Sequence, residues 1–174
     1  MWIQAGALAP TPGYAVVDKN AVAQVLRRLT AGDLLEPRLH ASFRLLEREQ
    51  PSLASFVADE LSMLETSAGQ ALSYFLFLVA FLSFREAFGP RLGAVTQDDL
   101  DAALDQLVAD SEVRGHTCGA GSYSEDVVAA AQPALMSLVQ GEIELAPEGT
   151  GDLDAALQAL LVHIVALGRA VAPT

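Results

Sequence analysis

Residues 50–61, QPSLASFVADEL, return 82 positions later as 132–143, QPALMSLVQGEI. Six of the twelve positions are identical: Gln50/Gln132, Pro51/Pro133, Leu53/Leu135, Ser55/Ser137, Val57/Val139 and Glu60/Glu142. Phe56/Leu138 and Leu61/Ile143 exchange like for like. An internal repeat narrows the choice of fold, because each copy is one structural unit that buries its apolar face against its neighbour. Proline has no amide hydrogen and suits only the first turn of a helix, so Pro51 and Pro133 read as helix starts. From Pro51 to Phe88 is 37 steps and from Pro133 to Val171 is 38, so each Pro-led helix precedes a turn and an apolar helix of similar length. Upstream, Val17-Asp18 with Val22, Leu26 and Leu29 matches Val95-Thr96 with Leu100, Leu104 and Leu107 at an offset of 78. The second copy therefore holds four extra residues, and the glycine loop 115–122 is the natural place for them.

The expected fold is all-α: a bundle of about eight helices built as two similar four-helix halves related by a pseudo-twofold axis. Residues 1–16 read as an N-terminal arm, 17–91 as the first helical repeat and 92–174 as the second, together one compact domain. Pro10, Pro12 and Gly13 make the arm extended, and Trp2 and Ile3 are expected to dock on a surface. Asp18 is positioned to cap the first helix and Gly32 to end it. A second helix over about 34–49 carries the stripe Leu35, Leu39, Phe43 and Leu46. The Pro-led third helix follows, Gly69 is expected to break or bend the path, and a very apolar fourth helix runs to Phe88, where Gly89-Pro90 stops it. Thr96 and Asp99 have the spacing of a capping box ahead of a fifth helix whose stripe is Leu100, Ala103, Leu104 and Leu107. Ser124 is read as the cap of a short sixth helix, Pro133 opens the seventh, and Asp152 is read as the cap of the last.

No charge occurs between Thr66 and Phe84, nineteen residues that approach the length of a membrane span. Ser67, Gly69, Gln70, Ser73 and Ser83 dilute the run and Arg85-Glu86 follow at once, which suits a helix buried in the centre of a bundle. Its Phe75, Phe77, Phe81 and Phe84 are the candidate lining of an apolar cavity.

The net charge is −12, and it is uneven. Residues 1–91 hold nine acids and eight bases, whereas 92–174 hold thirteen acids and only Arg114 and Arg169. Such a surface repels phosphates and anionic lipid, so neither a nucleic-acid nor a membrane partner is expected, while a basic protein partner or a homo-oligomer fits. Cys118 is the lone cysteine, in keeping with a reducing cytoplasm, and the N-terminus has no basic stretch followed by an apolar core of the kind that directs secretion.

Chemistry-bearing residues are sparse. Glu60 and Glu142 recur as repeat-related carboxylates, and paired carboxylates can hold a metal, yet no Glu-x-x-His accompanies them: Glu36 and Glu112 stand four residues before His40 and His116. The glycine loop holds His116 and Cys118, weak metal candidates because two ligands do not close a zinc site. Glu125 and Asp126 at the next helix start would repel a bound phosphate. His163 reads as a core histidine. No catalytic residue and no cofactor are assigned. The sequence is therefore read as a non-enzymatic helical scaffold or protein-interaction module. Two other readings stay open: a binder of a hydrophobic small molecule in the aromatic-rich centre, and a metal-dependent enzyme using the 115–122 loop.

Overall fold

Several helix starts have a visible chemical cause in the computed structural model, which describes residues 10–115, 123–151 and 153–174. The fold is 76% helical, with eight α-helices and, among the described residues, no strands. The order is α1 (Lys19–Thr30), α2 (Leu35–Glu49), α3 (Pro51–Ser62), α4 (Ser67–Phe88), a 3-10 turn (Gly89–Arg91), α5 (Gln97–Gly115), α6 (Tyr123–Ala131), α7 (Pro133–Glu144) and α8 (Asp154–Arg169). The Asp18 carboxylate accepts from the amides of Asn20 at 2.7 Å and Ala21 at 2.9 Å, satisfying two donors that a first helical turn leaves orphaned. Thr96 and Asp99 form the reciprocal box: Thr96 N donates to Asp99 Oδ2 at 2.9 Å and Asp99 N to Thr96 Oγ1 at 3.2 Å. Pro51 and Pro133 are the first residues of α3 and α7. Trp2, Ile3 and Asp152 lie outside the described residues.

Several local expectations are corrected. Gly69 neither breaks nor bends the path; it is the third residue of α4. Thr66 caps that helix through Gly69 N at 3.0 Å and also donates to the Thr150 carbonyl, tying α4 to the turn before α8. A Cβ at Gly69 would stand 2.8 Å from both the Thr150 oxygen and Thr66 Oγ1, so glycine is there for room. The helix α6 begins at Tyr123, which puts Ser124 inside its first turn instead of at its cap. The last helix stops at Arg169, two residues short of Val171. There the backbone turns to pair with the chain beyond α4, with Gly93 N donating to Ala170 O at 2.9 Å and Ala172 N to Arg91 O at 2.8 Å. Leu104, expected in the core stripe of α5, is 50% exposed, whereas Leu100, Ala103 and Leu107 are buried.

The two apolar helices pack on each other in the middle. Around them α1 lies on α4 and α5 lies on α8, while α2 and α3 cover α4, and α6 packs on α7 and α8. Two helices reach across the chain's length: α3 touches α5 and α8, and α7 touches α1. Phe77, Leu78, Phe81 and Phe84 of α4 and Leu161, Ile164 and Leu167 of α8 are each at most 1% exposed. Burying a side chain of this size contributes roughly 1.5–3 kcal/mol, so the α4–α8 seam is a large source of stability.

Two buried glutamines fasten this arrangement. Gln50 and Gln132 are the residues before Pro51 and Pro133, with nearly equal backbone angles (φ −139°, ψ 63° and φ −133°, ψ 62°). Gln50 Nε2 donates to Gly93 O at 2.9 Å and its Oε1 accepts from Val95 N at 2.6 Å. Gln132 Nε2 donates to Ala15 O at 2.6 Å and its Oε1 accepts from Val17 N at 2.9 Å. Each amide thus closes the hydrogen bonds of the extended segment leading into α5 or α1, groups that burial would otherwise leave unpaired.

Candidate functional site

A concavity with an apolar floor lies where α3, α5 and α8 meet. Its α5 side is one helical stripe, Gln97, Leu100, Asp101, Leu104, Leu107, Val108, Ser111 and Glu112. Phe56 and Glu60 enter from α3, and Ala155, Gln158, Ala159 and Val162 from α8. The volume is about 620 Å³. Leu104 and Val108, one turn apart, are 50% and 47% exposed, two apolar neighbours on one face left open to solvent. Asp101 is oriented by Gln97 Nε2 at 2.9 Å. No Lys, Arg or His lines the groove among the described residues, and its three ionisable groups are Glu60, Asp101 and Glu112. Glu60 is half-buried, and removal from water, with the nearby Asp59 adding repulsion, raises its pKa above the usual carboxylate value. Among the described residues no ion pair relieves it.

The other sequence candidates fall elsewhere. Phe77, Phe81 and Phe84 are close-packed in the α4–α8 seam, and Phe75 is half-buried on the α1 side. Phe77 borders a cavity of about 10 Å³ with Leu72, Ser73, Leu76, Ile143 and Leu160, which is room for a single water. Glu142, like Glu60, is half-buried, and the two carboxylates belong to different helices, α7 and α3. Among the described residues no group of three or more His, Cys, Asp or Glu is placed to hold a metal. His116 and Cys118 lie outside the described residues. His163 is fully buried, edge-on to the Phe77 ring at 5.1 Å between centroids, and neither ring nitrogen has a hydrogen-bond partner.

A second hollow, lined by Arg28, Arg38, Arg85, Glu86, Leu29 and Leu82 among others, has its three guanidiniums already engaged within the fold. Arg28 is bidentate to Glu86 at 2.6 and 3.0 Å, Arg85 is bidentate to Glu49 at 2.7 and 3.0 Å, and Arg38 donates to the backbone carbonyls of Leu29 and Ala31. Arg85 holds the Glu49 carboxyl below its ordinary pKa, which marks a settled structural pair.

The groove had little signal in the sequence. Its one trace is the spacing of Leu104 and Val108 beside Asp101 and Glu112, which periodicity alone assigns to a buried stripe. Comparison of the chain with protein-family models, with characterised proteins and with solved structures gives no match.

Proposed function

We propose that the chain is a non-enzymatic interaction module, built from a duplicated four-helix unit, that takes an apolar segment of a partner protein into the α3–α5–α8 groove. The observation that carries this reading is the groove itself, about 620 Å³ with half-exposed Leu104 and Val108 on its floor.

The duplication is supported position by position. Gln50 and Gln132 make the same pair of hydrogen bonds at an offset of 82, to backbone segments offset by 78. Leu53, Ala54 and Val57 are buried as are Leu135, Met136 and Val139, and Met63 and Leu145 are exposed to 79% and 80% at the ends of α3 and α7. The groove is where the copies differ. Its counterpart in the first half is an apolar cluster in which Leu26, Leu29, Phe75, Val79 and Leu138 pack together. Offsets of 78, 83 and 82 carry these to Leu104, Leu107, Gln158, Val162 and Phe56. A phenylalanine fills one site; a glutamine leaves the other hollow.

A soluble, cytoplasmic protein fits the same reading. The segment Ser67–Arg91 is long and apolar enough to cross a membrane, with mean hydropathy 1.6, but 56% of that window is buried inside the fold and serves as the bundle centre. The test is uptake of Nile red, a neutral dye that brightens in apolar sites. Stoichiometric binding by the native protein, lost in Leu104→Asn/Val108→Asn at unchanged melting temperature, is expected. No uptake, or uptake indifferent to that pair of substitutions, would remove the groove as a binding site.

A further inference from the structure

Three features of the groove bear on what occupies it. The first is length: the α5 stripe from Gln97 to Glu112 extends about 22 Å at 1.5 Å per residue, the span of a four-turn helix and well beyond a compact small molecule. The second is the floor, where Leu104 and Val108 stand at i, i+4 beside Phe56 and Val162, a surface suited to apolar anchors repeating at i, i+3/i+4 and i+7. The third is charge. Glu60 lies on the α3 wall and Asp101 and Glu112 on α5, with no base among the described lining residues, in the half of the chain that carries thirteen acids and two bases.

Resting on the groove reading above, we infer that the occupant is a cationic amphipathic helix of a partner protein, its apolar stripe on Leu104 and Val108 and its Lys or Arg residues beside Glu60, Asp101 and Glu112. The complementarity is local as well as global. Glu60 is half-buried with no cation paired to it among the described residues, so an arriving guanidinium or ammonium offsets a desolvation already present in the free protein. An anionic helix of the same apolar pattern would meet three carboxylates and, among the described lining residues, no base.

The experiment uses the full chain at physiological salt and three synthetic 18-residue peptides of leucine, alanine and one charged residue. One is an amphipathic helix with lysines, the second has glutamates in their place, and the third has the lysine composition scrambled so that no apolar stripe forms. The lysine amphipathic peptide is expected to bind, and the other two to bind at least about tenfold more weakly. Glu60→Gln/Asp101→Asn/Glu112→Gln is expected to weaken binding about tenfold, whereas Glu65→Gln/Glu144→Gln/Glu148→Gln, which removes equal charge from exposed sites elsewhere, changes it less than about twofold. Equal binding of the scrambled peptide, or equal loss in the two triple variants, would mean diffuse attraction to an acidic surface and would overturn the inference. Equal binding of the glutamate peptide would overturn the charge of the occupant while leaving the groove in place. Nile red uptake with no peptide binding would defeat the cationic helix alone; neither dye nor peptide binding would defeat the groove reading as well.

Discussion

Among the described residues His163 is the one ionisable side chain with no exposure at all, and burial lowers its pKa from 6.5 to about 3, a backbone interaction with Phe77 opposing the shift. The folded protein therefore keeps this ring neutral at pH values where the unfolded chain protonates it. Between about pH 6.5 and pH 3 the unfolded state binds the extra proton, so stability from this group is lost as pH falls through that range. Urea midpoints measured from pH 7 to pH 4 should fall accordingly. His163→Leu should flatten the profile and raise stability at pH 7, since it removes two buried ring nitrogens that make no well-formed hydrogen bond. An unchanged pH slope in that variant would locate the acid sensitivity elsewhere. The glutamines behave oppositely, because theirs are satisfied groups. Gln132→Leu leaves Val17 N–H and Ala15 C=O without their partner and should cost about 2–4 kcal/mol in urea unfolding; a loss below about 0.5 kcal/mol would mean water replaces the amide at no cost.

Two helical glycines separate propensity from packing. By propensity alone, glycine to alanine inside a helix gains about 0.5–1 kcal/mol. A methyl group added at Gly141 in α7 would have nothing within 4 Å, so Gly141→Ala should raise the melting temperature. Gly69→Ala should lower it, because the new methyl meets the Thr150 oxygen and disturbs the Thr66 cap that joins α4 to the turn before α8. A rise in both variants would mean that the Thr66–Thr150 contact is dispensable. At the element scale the caps at Asp18 and Thr96, the Pro-led starts and the apolar character of α4 were all legible, since each depends on residues within a turn of one another. The room requirement at Gly69 was not, because Thr150 is 81 positions away. The exposure of Leu104 was equally hidden: periodicity marks the apolar face of α5 but not how much of that face α3 and α8 reach.

The whole molecule is organised around the α4–α8 seam, with α3 and α7 each crossing to the other set of helices. The identity of Gln50 and Gln132 was plain in the sequence, but as matching letters only; that each side chain binds the extended segment opening the other half follows from the crossing, which no local pattern encodes. The groove has the same origin. It exists because three helices distant in sequence converge without filling the space between them. If two like halves are interlocked by the Gln50 and Gln132 amides, the bonds they make to Val17 and Val95 should open only when the whole fold opens. Native-state amide hydrogen exchange at these two valines reads that out. Both amides precede helices, and a capped but unclasped chain would exchange them within local fluctuations. The expected result is exchange as slow as the α4 and α8 core amides for both, with the same free energy as global unfolding. Fast exchange at either valine, while the core of α4 and α8 stays protected, would contradict the interlocked arrangement.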